Sequence, residues 1–85
     1  MSYRVVWNRW AEDDLATVWL AAADREAVAA ATAWLDDHLA RLPLDLGEPW
    51  ASSVHRIAYY GPVGVEYEVI EDDKRVLVHS VFGPG

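Results

Sequence analysis

His55, Glu66, Glu68 and His79 are the residues whose types and spacing suit proton-transfer chemistry. In the stretch GVEYEVIEDDKRVLVHS, residues 64–80, Glu66 and Glu68 alternate with Val65, Tyr67 and Val69. Read as two strands folded back over an acidic turn, this stretch projects both carboxylates from one face of the hairpin. A carboxylate beside an imidazole moves the ring into the pKa range of a useful general acid or base, which is what a Glu66–His79 pair would offer. The same four side chains include good ligands for a borderline metal. Each reading has a plainer rival. An exposed Glu–His pair across two strands also serves to set register, and exposed groups on flat strands seldom close around an ion. No metal or cofactor is expected.

The elements that position these groups follow from periodicity. Residues 3–7, YRVVW, are β-branched and aromatic and suit a strand. From Trp10 the spacing becomes helical through Ala11, Leu15, Val18, Trp19 and Ala22, with Glu12 and Asp13 in the first turn. Asp24 is a suitable N-cap for a second helix, in which Val28, Ala31, Leu35, Leu39 and Leu42 form one stripe before Pro43. Helices are therefore expected near 10–22 and 24–42. Residues 43–53, PLDLGEPWASS, form the main loop. Three strands are expected at 54–60, 63–70 and 75–82, joined by short turns at Gly61–Pro62 and across 71–74.

Regular pairing sets Ile70 opposite Arg75 and Glu66 opposite His79. One face then carries Ala58, Tyr60, Val65, Tyr67, Val69, Val76, Val78 and Phe82, a surface for the helical hairpin to cover. The other carries His55, Ile57, Tyr59, Glu66, Glu68, Arg75, Leu77, His79 and Val81. Alternation aims Arg56 at the helices unless a bulge intervenes. Trp7, Trp10, Trp19 and Trp34 are expected in core or hairpin packing, and His38 in a structural role at the edge of the second helix's stripe. Trp50, in the loop, either covers the sheet edge or stays available to a partner. The acidic clusters 12–14, 36–37 and 71–73 read as solvated faces.

Composition narrows the function. A chain of 85 residues without cysteine is expected to form one domain over 1–85, with no disulfide, thiolate zinc site or cysteine nucleophile. The start, MSYRVVWNRW, lacks the apolar segment of a signal peptide, and VWLAAA is far short of a membrane span, so a cytoplasmic protein without membrane contact is expected. The net charge of −7 disfavours binding to free nucleic acid, which draws its affinity from basic groups, and favours a basic partner. No P-loop, dinucleotide-binding glycine pattern or Ser/His/Asp arrangement is present.

The order strand–helix–helix–three strands, the alanine-rich second helix and the late G-V-x-Y-E-V-x-x-D-D-K-R-V hairpin resemble the RelE/ParE superfamily of type II toxin–antitoxin toxins, often called plasmid stabilisation proteins. WAEDDLATVWL (10–20) is similar to that family's first helix, and HRIAYYGPVGVEYEV (55–69) to its second and third strands. The resemblance implies an α+β fold, β-α-α-β-β-β, with the helical hairpin on one face of a curved, largely antiparallel four-stranded sheet. It also implies neutralisation by a cognate antitoxin, and an effector that either cleaves mRNA on the ribosome or inhibits DNA gyrase. The ribonuclease members carry several cations on the open sheet face to stabilise phosphate charge. Here Gly64, Glu66 and Glu68 occupy the third-strand positions, and His79 or Ser80 the late basic one. The expectation is therefore a ParE-like toxin or one with degenerate effector chemistry. A RelE-like endoribonuclease using His55, Arg56, Glu66 and His79 is one alternative, and a non-toxic interaction protein is the other. Tyr59, Glu66, Glu68, His79 and Trp50 are the expected partner-binding residues.

Overall fold

The computed structural model describes residues 2–83; Met1, Pro84 and Gly85, at the ends of the expected 1–85 domain, lie outside the described residues. The β-branched opening stretch forms β1 (Arg4–Trp7), which leads through the N-cap Asn8 into α1 (Arg9–Ala21). Asn8 accepts the Ala11 amide on its side chain at 2.9 Å, satisfying one of the free donors of the first turn. Asp24 does the same for Ala27 at the start of α2 (Arg25–Arg41). The link between the helices is short because Arg25 folds back onto it, donating to the Trp19 and Leu20 carbonyls at the end of α1.

After the loop come β2 (Glu48–Pro49), β3 (His55–Tyr60), β4 (Val63–Ile70) and β5 (Arg75–Phe82). They form one sheet in the order β1-β5-β4-β3-β2, with β1 parallel to β5 and the remaining pairs antiparallel. The sheet has five strands, not the expected four. The fifth is the two-residue β2, which pairs Glu48 with Ile57 and Pro49 with Arg56. A proline in so short a segment hides the strand from any alternation rule, and proline is tolerated there because β2 is an edge. Gly47, just before it, has φ +69°, and a Cβ at this position would lie 2.1 Å from the Ile57 carbonyl oxygen. Only glycine fits there.

The helices cover one side of the sheet. Val28, Ala31, Leu35 and Leu39 of α2 and Ala11 of α1 join Ala58, Val63, Val65, Tyr67, Val69, Val76, Val78 and Val81 in one buried core. Leu42, expected in the same stripe, is exposed because α2 ends at Arg41 and Leu42 is its C-cap. Trp7 and Trp34 pack against the core as expected, and Trp34 stacks on both His38 and Tyr60. Trp10 is a correction: 71% exposed, it points away from the core.

The acidic clusters are likewise more than solvated surface. Trp7 donates its indole N–H to Asp36 at 2.8 Å, tying β1 to α2. Tyr3 hydrogen-bonds Glu71, which also pairs with Lys74, tying β1 to the β4–β5 turn. β1 pairs with β5 only as far as Val78, so the outer edge of β5 lacks a strand beyond that point. Asp14 of α1 takes up the slack there, accepting the Val81 amide at 3.2 Å.

The expected β4–β5 register holds from Ile70–Arg75 to Tyr67–Val78 and then slips. Glu66 pairs with Ser80 instead of His79, because His79 is the extra residue of a β-bulge. One inserted residue inverts the side-chain alternation beyond it. Val81, expected on the open face, is buried, and Phe82, expected under the helices, lies over Gly64 on the open face. Nothing in the sequence of β5 announces this, since Val81 and Phe82 are both apolar.

Leu35 is fully buried at the centre of the α2 contact with the sheet. Leu35→Ala is expected to destabilise the fold by about 2–5 kcal/mol in chemical denaturation. A loss under about 0.5 kcal/mol, as for a surface change, would contradict the packing described.

Candidate functional site: the open face of the sheet

Register places the side chains of the uncovered face in rows across the strands. The first row is Ile70, Arg75 and Arg4; the second is His55, Glu68, Leu77 and Val6. The third is Glu48, Ile57, Glu66 and Ser80, and the fourth Tyr59, Gly64 and Phe82. The face thus grades from basic at one end, through carboxylates and imidazoles, to aromatic at the other. Its two arginines stand together in the terminal row, where Arg75 reaches Asp73 at 3.4 Å.

The middle rows hold two imidazole–carboxylate pairs, though not the expected one. His55 Nε2 lies 2.8 Å from Glu66, and His79 Nε2 lies 3.2 Å from Glu68. The imidazole centroids are 5.8 Å apart. Glu66 meets His55 because β3, not β5, supplies its imidazole neighbour; the bulge turns Ser80 toward it instead, and Ser80 donates to Glu66 at 2.8 Å. Glu66 is consequently held below the ordinary carboxylate range, first by the Ser80 hydroxyl and then by His55, against an opposing effect of burial. The tautomer of His79 is fixed by α1. Asn8 Oδ1 is committed to the Ala11 amide, so its Nδ2 faces His79 Nδ1 at 3.4 Å as a donor. Neutral His79 therefore carries its proton on Nε2, facing Glu68.

Arg56 is not on this face. It is 8% exposed, on the helix side, and its guanidinium donates to the carbonyls of Leu46, Gly47 and Ser53. Tyr67 adds its hydroxyl against the carbonyls of Pro43 and Leu46, at 2.8 and 2.7 Å. These two side chains hold the 43–53 segment against the sheet. Trp50 sits on that segment with its amide donating to the His55 carbonyl at 2.7 Å, and its ring is 66% exposed. Tyr59 is 69% exposed. Of the expected site residues, His55, Tyr59, Glu66, Glu68 and His79 are brought onto one face with Trp50 at its edge, while Arg56 is spent on structure.

This arrangement can exchange protons with a bound group, but a phosphate at its centre would meet Glu66 and Glu68. A second surface was missed by sequence reasoning. A groove of about 820 Å³ runs between α1 and α2, walled by Leu15, Trp19, Leu20 and Val28 together with Glu12 and Asp36. Its signal was available. α1 carries Leu20 beside Trp19, in addition to the apolar residues that one core-facing stripe needs. Among the described residues, no helix is long and apolar enough to cross a membrane and no three potential ligands cluster for a metal ion.

Because its folded pKa is lowered, Glu66 contributes stability that is present above its unfolded pKa and lost as pH falls through the folded value. Ser80→Ala removes the largest cause. Titration of the Glu66 carboxyl carbon by NMR is expected to give a midpoint below 4.5 in the native chain and a higher one in the variant. Coincident titrations would mean that the bulge does not direct Ser80 to Glu66.

No protein-family model and no curated protein matches the chain. Solved structures do. The chain is similar to one in the RelBE2 toxin–antitoxin complex from Mycobacterium tuberculosis, with a TM-score of 0.81 at 21% identity over 99% of this chain and 100% of that one. It is also similar to a chain of the chromosomal ParDE toxin–antitoxin system from P. aeruginosa, with a TM-score of 0.71 at 14% identity over 98% and 97%. The backbone described above has the fold of these two chains, two helices over one side of a mixed sheet.

Proposed function

We propose that this chain is the toxin of a type II toxin–antitoxin module, held inactive by a bound cognate antitoxin. The observation that carries the reading is the end-to-end match of the fold to a chain of a toxin–antitoxin complex. The effector activity is of the ParE kind, directed at DNA gyrase, or has degenerated. In support, Glu66 and Glu68 occupy the middle of the open face, Arg56 is committed to carbonyls, and Arg4 and Arg75 lie at one end. Cations are needed where phosphate charge develops, and the centre of this face has none among the described residues.

A RelE-like endoribonuclease is the second reading, favoured by the two imidazole–carboxylate pairs. It requires the substrate's phosphate to sit beside two carboxylates. The antitoxin segment that docks on the open face, against Tyr59, Glu66, Glu68, His79 and Trp50, is basic, since charge complementarity governs association rate and partner choice. The groove between α1 and α2 supplies an apolar site on the other layer for an elongated partner of this kind.

Induced expression in bacteria is expected to arrest growth, with relief by co-expression of the adjacent gene's product. The arrested cells should show loss of gyrase supercoiling without ribosome-dependent mRNA cuts. Cleavage abolished by His79→Ala would establish the second reading, and the absence of arrest would leave a non-toxic interaction protein. Glu66→Gln with Glu68→Gln should slow antitoxin association and flatten its salt dependence while changing stability by only about 0.5 kcal/mol. Unchanged binding would reduce the two carboxylates to the wet side of a small sheet.

A further inference from the structure

At the aromatic end of the open face, Gly47, Glu48, Pro49, Trp50, Ile57 and Tyr59 enclose a cleft of about 480 Å³. Its walls are two large aromatic rings that the fold leaves exposed on well-held backbone. Trp50 is pinned through its own amide, and the segment carrying it is fastened on both sides by Arg56, which reaches residues 46, 47 and 53. Tyr59 is braced by Phe82, which meets its ring edge-on at 5.6 Å over the space that the missing Cβ of Gly64 leaves open. Ile57 provides an apolar floor. Glu48 shares the row of Ile57, and its carboxylate has no hydrogen bond or ion pair to another described residue.

We propose that this cleft receives one arginine side chain from a basic partner segment. Aromatic faces attract a cation, apolar flooring suits the arginine stem, and a free carboxylate pairs with the planar guanidinium through two parallel hydrogen bonds. Lysine matches less well, because its ammonium neither stacks nor binds a carboxylate in that forked way. A nucleobase would find the same rings but would bring a phosphate toward Glu48 and Glu66 in a chain of net charge −7. The inference rests on the reading that the open face takes a basic partner, and it supplies the anchor for that partner: a cleft carried on backbone that is already held in place, which lowers the cost of ordering.

The test uses the isolated chain labelled with nitrogen-15 and the probe acetyl-Gly-Arg-Gly-amide, with its citrulline counterpart as the neutral isostere. The indole signal of Trp50, assigned through Trp50→Phe, is expected to move with the arginine peptide at millimolar concentration and not with the citrulline one. Glu48→Gln should weaken the interaction by about two- to fivefold, the range of an exposed charge pair, and Tyr59→Ala should abolish it. Equal shifts with both peptides, a larger shift with adenosine monophosphate, or no movement at Trp50 would each overturn the proposal. Because neither growth nor an antitoxin enters this measurement, its failure is separate from failure of the toxin reading. A positive titration in a chain that does not arrest growth would keep the pocket and remove the toxin.

Discussion

The single inserted residue at His79 governs the surface on which every functional reading depends. Without the bulge, β5 would alternate strictly, Phe82 would enter the core and Val81 would face solvent. With it, His79 and Ser80 both address the open face, Val81 completes the core, and Phe82 reaches Tyr59. A bulge leaves one backbone position out of the ladder, and its consequences are absorbed by α1. Asn8 orients His79 and Asp14 takes the Val81 amide, so the helix that shields the core also fixes the irregular half of β5.

A second constraint acts at the opposite edge. Arg56 is a buried guanidinium, which is costly unless its donors are satisfied, and it meets that requirement with three carbonyls of the 43–53 segment. The same contacts turn a proline- and glycine-rich loop into a fixed edge that includes β2 and presents Trp50. One buried side chain thereby supports the edge of the open face.

Much of the fold was legible because its signals are redundant. Alternation in 63–70, the helical stripe of α2, the Asp24 cap and the Gly61–Pro62 turn agree with one another and with the observed elements. The misses share a different character. β2 is two residues long and contains proline, so no periodicity reaches it. The bulge substitutes one apolar neighbour for another, so the composition of β5 is indifferent to it. The loss of His79 as the partner of Glu66 follows from that slip, whereas His55 reaches Glu66 diagonally across the regular β3–β4 pair. Trp10 and the α1–α2 groove were misread because α1 carries more apolar residues than one core-facing stripe needs, and Leu42 because spacing alone does not say that α2 stops at Arg41. Asp14 and Asp36 were read as solvent-facing because an acidic cluster gives no hint of which carboxylate meets a backbone amide or an indole.

The open face is graded, from Arg4 and Arg75 through paired carboxylates and imidazoles to Trp50 and Tyr59, and we propose that this gradient binds a protein partner instead of cutting a phosphodiester. Hydrogen–deuterium exchange of the chain, alone and in complex with the adjacent gene's product, tests that claim most directly. Slowed exchange is expected at the amides of Glu48, Trp50 and residues 55–60, on the aromatic and acidic end of the face. A tight complex whose protection is confined to α1 and α2, with those strands exchanging as in the free chain, would contradict it.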